Sequence, residues 1–172
     1  MKCLAILLSA LILAGCAAVG DGGDGHVSRQ TATGTDAVRG AEAVFSWRAE
    51  GQMIFRCAYD DKGFFWEFVR PEGRLLDDKG RRQAVLQQSF GITARDGSSL
   101  SARIIEQGAE SSPRNLRTVT FATRTSGPGM LSGIRLVVRR DAVGGMPLAS
   151  CTASQRGHLL RVPFRARYVF YR

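Results

Sequence analysis

Lysine, histidine and cysteine are scarce in this chain. Its 172 residues include two histidines and four cysteines, and lysine occurs only at positions 2, 62 and 79. Since no histidine or further cysteine lies at metal-ligand spacing from Cys57 or Cys151, we expect neither a metal nor a cofactor. A Ser-His-Asp triad is not expected either, because His158 is the only histidine after the N-terminal region and no Gly-x-Ser-x-Gly motif accompanies it.

A long apolar run is also missing. The run from Leu4 to Ala14 follows Lys2 and is too short to span a bilayer comfortably, which is typical of a secretory signal. It ends in Leu-Ala-Gly-Cys at Cys16, which resembles the lipobox of bacterial lipoproteins. The resemblance implies cleavage before Cys16 and lipid on that residue.

Three regions follow from this interpretation. Residues 1–15 are the predicted signal peptide, residues 16–43 the lipidated cysteine and a flexible tether mostly of small and polar residues such as Ala, Gly, Asp and Thr, and residues 44–172 a single β domain. Ala17 and Ala18 follow Cys16, and resemblance to lipoprotein sorting signals then favours the outer membrane, at its periplasmic face. The first expected partner is therefore the membrane itself, through the lipid.

Short segments of alternating apolar and polar residues fill the chain after residue 44, and no helical stripe is evident. The clearest is the last, in which apolar side chains alternate with polar or charged ones over residues 160–170. Weaker strands are predicted over 83–94, 99–107 and 116–124, with a hairpin turn at residues 60–63 and Pro163 at an edge or bulge. The pattern predicts an all-β fold, an antiparallel β-sandwich or a small barrel.

Cys57 and Cys151 remain after the signal and the lipidated cysteine are set aside. An even pair in an exported protein permits a disulfide, which would close a loop of about a hundred residues. Two buried thiols and two metal ligands are the alternatives.

Arginine supplies most of the formal net charge of +9. Arg161, Arg165 and Arg167 share one face of the last predicted strand, and Arg135 and Arg139 would extend that surface if their strand is its neighbour. Such a surface suits anionic lipid, lipopolysaccharide or an acidic polymer. A solvated outer face with no ligand explains the same residues. Nucleic acid is not expected, because the compartment is wrong and no recognised motif accompanies the arginines.

Two groups of side chains bear on catalysis and ligand binding. The aspartates at 60, 61, 77, 78 and 96, together with Ser98, offer acid–base or nucleophilic chemistry, but all lie in turn-like sequence, where aspartate commonly bonds its own backbone. Phe64, Trp66 and Phe68 either line a pocket or fill the core, and we favour the core. We therefore expect a membrane-anchored envelope lipoprotein with a non-enzymatic binding or structural domain, and a secreted hydrolase is the alternative.

Residues 51–172 resemble a family known as domain of unknown function 3455. The matching residues occur in order: Phe55-Arg56-Cys57, Trp66, Pro71-Glu72, Leu75, Asp77, Gly80, Asp96-Gly97-Ser98, Arg139, Gly144-Gly145, Pro147, Cys151, Phe164, Ala166, Tyr168 and Phe170. The resemblance implies one secreted β domain in which Cys57 and Cys151 are paired, and it implies no activity. Members typically carry a histidine and a Gly-Pro-x-Trp motif before the Asp-Gly-Ser, whereas Leu86 to Ile92 contain neither histidine nor tryptophan here.

Overall fold

The computed structural model describes residues 36–172, which contain eight antiparallel strands and three short 3-10 helices. The strands are β1 Ala43–Asp60, β2 Gly63–Leu76, β3 Arg82–Leu86, β4 Ile92–Ala94, β5 Ser99–Gln107, β6 Val119–Ser126, β7 Leu136–Gly144 and β8 Leu159–Tyr171. The 3-10 helices are Asp36–Val38, Gln88–Phe90 and Ala153–Gln155. The predicted all-β antiparallel fold is confirmed.

Each strand pairs with the next along the chain, and β8 pairs with β1, so the sheet closes into a barrel. Closure removes most of the free edges that an open sheet would expose. The predicted strand 99–107 is confirmed as β5, and the prediction 116–124 corresponds to β6. The predicted strand 83–94 is instead two short strands, because the chain bends through Gln88–Phe90 between β3 and β4.

The barrel interior is an apolar core to which all eight strands contribute. In β8 the inward side chains are those of Phe164, Ala166, Tyr168 and Phe170, as the alternation predicted. Trp66 packs against this core, so the core interpretation of that residue is confirmed. At about 25 cal/mol per Å² of apolar surface removed from water, such a core is the main stabilising contribution to the fold.

Pro163 lies where β8 has a partner on one side only. Its Cα partner in β1 is Gln52, while the pairing with β7 ends one residue later, at Gly144 and Phe164. A proline nitrogen carries no hydrogen to donate to a neighbouring strand, so this edge position tolerates it. The predicted edge position is confirmed.

The disulfide joins Cys57 in β1 to Cys151 in the segment before β8, with their Cα atoms 5.8 Å apart. The same region is tied by backbone hydrogen bonds, from the Cys57 N–H to the His158 carbonyl and from the Gly157 N–H to the Cys57 carbonyl. The pairing implied by the family resemblance is confirmed.

The signal peptide, Cys16 and most of the predicted tether lie outside the described residues. The last part of the tether is described, and it contains the 3-10 helix Asp36–Val38, whose Asp36 and Ala37 N–H groups donate to the Glu106 carboxylate. Within residues 36–172, no helix is long and apolar enough to cross a membrane.

Candidate functional site: an arginine row on the outer face of the barrel

The three arginines of β8 point away from the core. Arg165 and Arg167 alternate with Phe164, Ala166 and Tyr168, which are buried. Arg161 and Arg165 are exposed, and Arg167 is half-buried. The predicted common outward face is therefore present, although the three side chains differ in their partners.

Arg161 is neutralised by an acidic neighbour. Its Nη1 lies 2.8 Å from Glu72 Oε2, and Arg70 pairs with the other oxygen of the same carboxylate. Hydrogen bonds from Arg70 and then from Arg161 hold the pKa of Glu72 below its usual range. Arg161 and Arg70 are also the Cα partners of Ile54, which has no exposed surface. Arg161 thus belongs to an ion-pair network beside Ile54 and is poorly placed to bind a free anion.

Arg139 does not lie on the outer face, so its predicted place there is wrong. It is only 5% exposed and points into the barrel between its Cα partners Val119 and Tyr168. The alternation in β7 was ambiguous because Val137 and Val138, which face opposite ways, are both buried. Arg135 is exposed just before β7, where its N–H donates to the Tyr171 carbonyl.

Arg167 lies beside an arginine on each of its two neighbouring strands. Arg167 in β8 is the Cα partner both of Arg140 in β7 and of Arg48 in β1. We call Arg48, Arg140 and Arg167 the arginine row. Directly opposite residues on adjacent strands have Cβ atoms about 5 Å apart, and like charges in such positions repel one another.

The arginine row has little negative charge around it. Arg167 Nη1 donates to Ser46 Oγ at 3.1 Å, and Arg140 Nε lies 3.5 Å from Asp141 Oδ2. Within residues 36–172, Arg48 forms no ion pair, and neither does Arg165, which lies outward two residues from Arg167. The acidic Cα partner of Arg165 is Glu50, whose carboxylate is 2.7 Å from Arg74 instead. The surface thus presents guanidinium groups whose charges are largely uncompensated.

Sequence reasoning missed Arg48 and Arg140 as members of this surface. Arg48 stands between Trp47 and Ala49, which are buried, so the alternation in β1 could have indicated its outward direction. Nothing in the sequence places it beside Arg167, because that neighbourhood depends on the register of two strands more than a hundred residues apart.

Ser98 and Asp96 form a structural tie. The Ser98 hydroxyl donates to Asp96 Oδ1 at 2.6 Å and accepts from the Leu131 N–H at 3.2 Å, and Asp96 also accepts from the Met130 N–H. The hydrogen bonds from the Ser98 hydroxyl and the Met130 N–H lower the pKa of Asp96, so it is a poor general base near neutral pH. Ser98 is 1% exposed. The pair therefore links the turn before β5 to the loop before β7.

Asp77 has a comparable role in the turn between β2 and β3. Burial raises its pKa, but hydrogen bonds from Arg81 and Gln83 outweigh that effect and lower the pKa to about 2. The side chain also accepts from the Lys79 N–H at 3.0 Å. A carboxylate that is ionised at all physiological pH values cannot serve as a general acid. Hydrolysis by turn carboxylates or Ser98 stays a prediction of the sequence that no contact in residues 36–172 favours.

No cluster of three or more His, Cys, Asp or Glu side chains suited to hold a metal ion occurs in the part of the chain that the structure describes. His158 is exposed, and its contribution to the hydrogen bonds of the fold is through its backbone.

A known protein family matches the sequence of this barrel. The model of a family described as "Protein of unknown function (DUF3455)" matches residues 38–172, which contain all eight strands and both disulfide cysteines. Neither the curated proteins nor the solved structures give a match. The family match covers most of the chain and includes the stretch from Phe55 to Phe170 that carries the resemblance. The chain belongs to the DUF3455 family of proteins of unknown function.

Proposed function

We propose that this protein is a lipid-anchored lipoprotein of the bacterial envelope whose barrel binds anionic groups without catalysing a reaction. The expected location is the periplasmic face of the outer membrane, with the lipid on Cys16. The expected ligand is the phosphate of an anionic lipid or of lipopolysaccharide. The arginine row is the observation that carries this proposal.

Guanidinium groups bind phosphate through two parallel hydrogen bonds, and a phosphate between two arginines would relieve their mutual repulsion. Repulsion among the three guanidinium groups of the arginine row does not stabilise the fold. A role of the row in binding an anion would explain why these residues stand together. A lipid anchor would keep the barrel at a high effective concentration near the membrane surface. Even a weak electrostatic attraction would then be enough for the arginine row to bind lipid headgroups.

Neutralising the arginine row should abolish most binding to anionic vesicles. The mature chain without its lipid would be mixed with phosphatidylcholine vesicles that contain or lack phosphatidylglycerol, and with lipopolysaccharide. Each basic residue near an anionic surface contributes about 1 kcal/mol, so the triple variant R48Q/R140Q/R167Q should bind roughly 100-fold more weakly at low salt. Binding of the parent should fall as salt is added.

The matched control is R114Q/R124Q/R156Q, which removes the same charge from exposed arginines that form no ion pair within residues 36–172. It should retain most of the binding. Equal losses in the two variants would show that net charge alone attracts the protein. A parent that does not bind at low salt would mean that the row only solubilises the sheet.

Replacing Cys16 by serine should release the protein from membranes or block its processing. Serine cannot carry the thioether-linked lipid, and firm anchoring requires more than one acyl chain. Membrane fractionation and incorporation of labelled fatty acid would be compared between parent and C16S. A C16S protein that is processed normally and still fractionates with membranes would contradict the lipobox interpretation.

A further inference from the structure

The wall of the barrel has a notch where β3 and β4 are short. β3 pairs only with residues 73–76 of β2, although β2 extends back to Gly63. On the other side, β4 pairs with β5 only at residues 92–93, whereas β5 continues to Gln107. The loop Gln87–Gly91 connects β3 to β4 at this end of the barrel. The part of β2 from residue 63 to residue 72 therefore lacks a strand neighbour on the β3 side.

Phe90 fills the notch from the loop. Its ring is 5.3 Å from the Phe68 ring, with the planes 7° apart, and 5.3 Å from the Phe121 ring. Phe68 and Ile104 are the Cα partners of the core residues Phe55 and Phe121, yet each is 38% exposed. Two apolar side chains that lie opposite core residues are thus open to solvent.

The loop that carries Phe90 is strained. Ser89 has φ 53° and Phe90 has φ 63°, in the left-handed region that residues other than glycine rarely adopt. Two consecutive residues of this kind are costly, and strain of this sort is found at ligand clamps and switch segments.

The side chain of Arg139 is a buried cation close to the Phe121 ring. The Arg139 guanidinium carbon is 6.0 Å from the Phe121 ring centre, and Nη2 donates to the Arg117 carbonyl, in the loop that enters β6 at the notched end. Arg139 Nε is buried and has no hydrogen-bond partner. Within residues 36–172 no carboxylate pairs with Arg139. Arginine does not deprotonate in proteins, so the charge stays inside the barrel.

The phenol of Tyr168 does not neutralise Arg139. Burial raises the pKa of this phenol, although the nearby charge of Arg139 opposes the shift. The phenol is therefore neutral at physiological pH. An unpaired buried charge is strongly unfavourable unless an anion joins it.

We propose that the notch is a binding site for an alkyl monocarboxylate, whose chain replaces Phe90 against Phe68, Ile104 and Phe121 and whose carboxylate pairs with Arg139. The aromatic and aliphatic wall disfavours a small inorganic anion, and the cation behind it disfavours a neutral lipid. A single alkyl chain is slim enough to take the place of one phenyl ring. This site lies inside the barrel and does not depend on the arginine row.

Dodecanoate and dodecanol, below the concentrations at which they aggregate, provide the test with the mature chain. Trp66 packs against the core two residues from Phe68, so its fluorescence would report occupation of the notch. The parent should bind dodecanoate at least about tenfold more tightly than dodecanol, since a hydrogen bond to a charged group is worth about 1.5–3 kcal/mol. F90A should bind both more tightly, because the ring that competes for the site is gone.

R139M should remove the preference for the carboxylate and leave dodecanol binding unchanged. R103M, at an exposed outer position of β5, should behave as the parent. If R139M does not fold, R139K keeps the charge and must still prefer dodecanoate. A parent that binds neither probe, or that binds both equally, overturns the proposal, and so does a folded R139M with an undiminished preference.

Discussion

Removing the Cys57–Cys151 disulfide should lower the free energy of unfolding by about 2–5 kcal/mol. The bridge spans 94 residues of sequence, so it restricts the unfolded chain strongly, and the chain-entropy model gives about 4–5 kcal/mol for a loop of this size. A single domain is typically stable by about 5–15 kcal/mol, so this loss is a large part of the total. The double variant C57A/C151A should therefore be marginally folded.

Urea unfolding followed by fluorescence would measure the change. The parent treated with a reductant is the matched control, because it loses the bond while both sulfur atoms remain, and it should lose nearly as much as the double variant. A loss below about 1 kcal/mol in both would mean that the hydrogen bonds of Cys57 to Gly157 and His158 already hold this end of the barrel.

Replacing Gly51 by alanine should destabilise the barrel by about 3 kcal/mol or more, at the upper end of the cost of overpacking. A Cβ atom at this position would lie 2.1 Å from the Glu72 carbonyl oxygen and 2.5 Å from the Gly73 Cα. Both obstacles are backbone atoms of β2, so a change of side-chain rotamer cannot relieve the clash. β1 is also paired with β8 at Gly51, so it cannot move away freely.

Gly108 provides the control, since a Cβ atom there would have Thr118 Cβ at 3.3 Å as its nearest neighbour. G108A should cost less than about 1 kcal/mol, as is usual for substitutions away from tightly packed backbone. Thermal and urea unfolding of both variants would be compared with the parent. Similar small losses in G51A and G108A would contradict the close approach of β1 and β2 at Gly51.

Local sequence patterns predicted most of the secondary structure. The alternation in β8, the turn at residues 60–63 and the strand 99–107 depend on a few neighbouring residues, and a period of two requires no knowledge of the rest of the chain. The cysteine pair was also evident, and the family resemblance implied its pairing. The resemblance could not supply a function, because the family has none assigned.

The sequence by itself thus determined an all-β antiparallel fold and an outward arginine face on the last strand, while the family resemblance implied the disulfide. Only the tertiary structure decided which arginines share a surface and which one is buried. Barrel closure brings β8 beside β1 and places Arg48 opposite Arg167. Arg139 was expected on the outer face and lies inside, because both sides of β7 are apolar and alternation alone could not tell inside from outside. A sequence pattern indicates that side chains alternate between the two faces of a strand. The register of the strand, and which of its faces points into the barrel, depend on packing against strands that are distant in sequence.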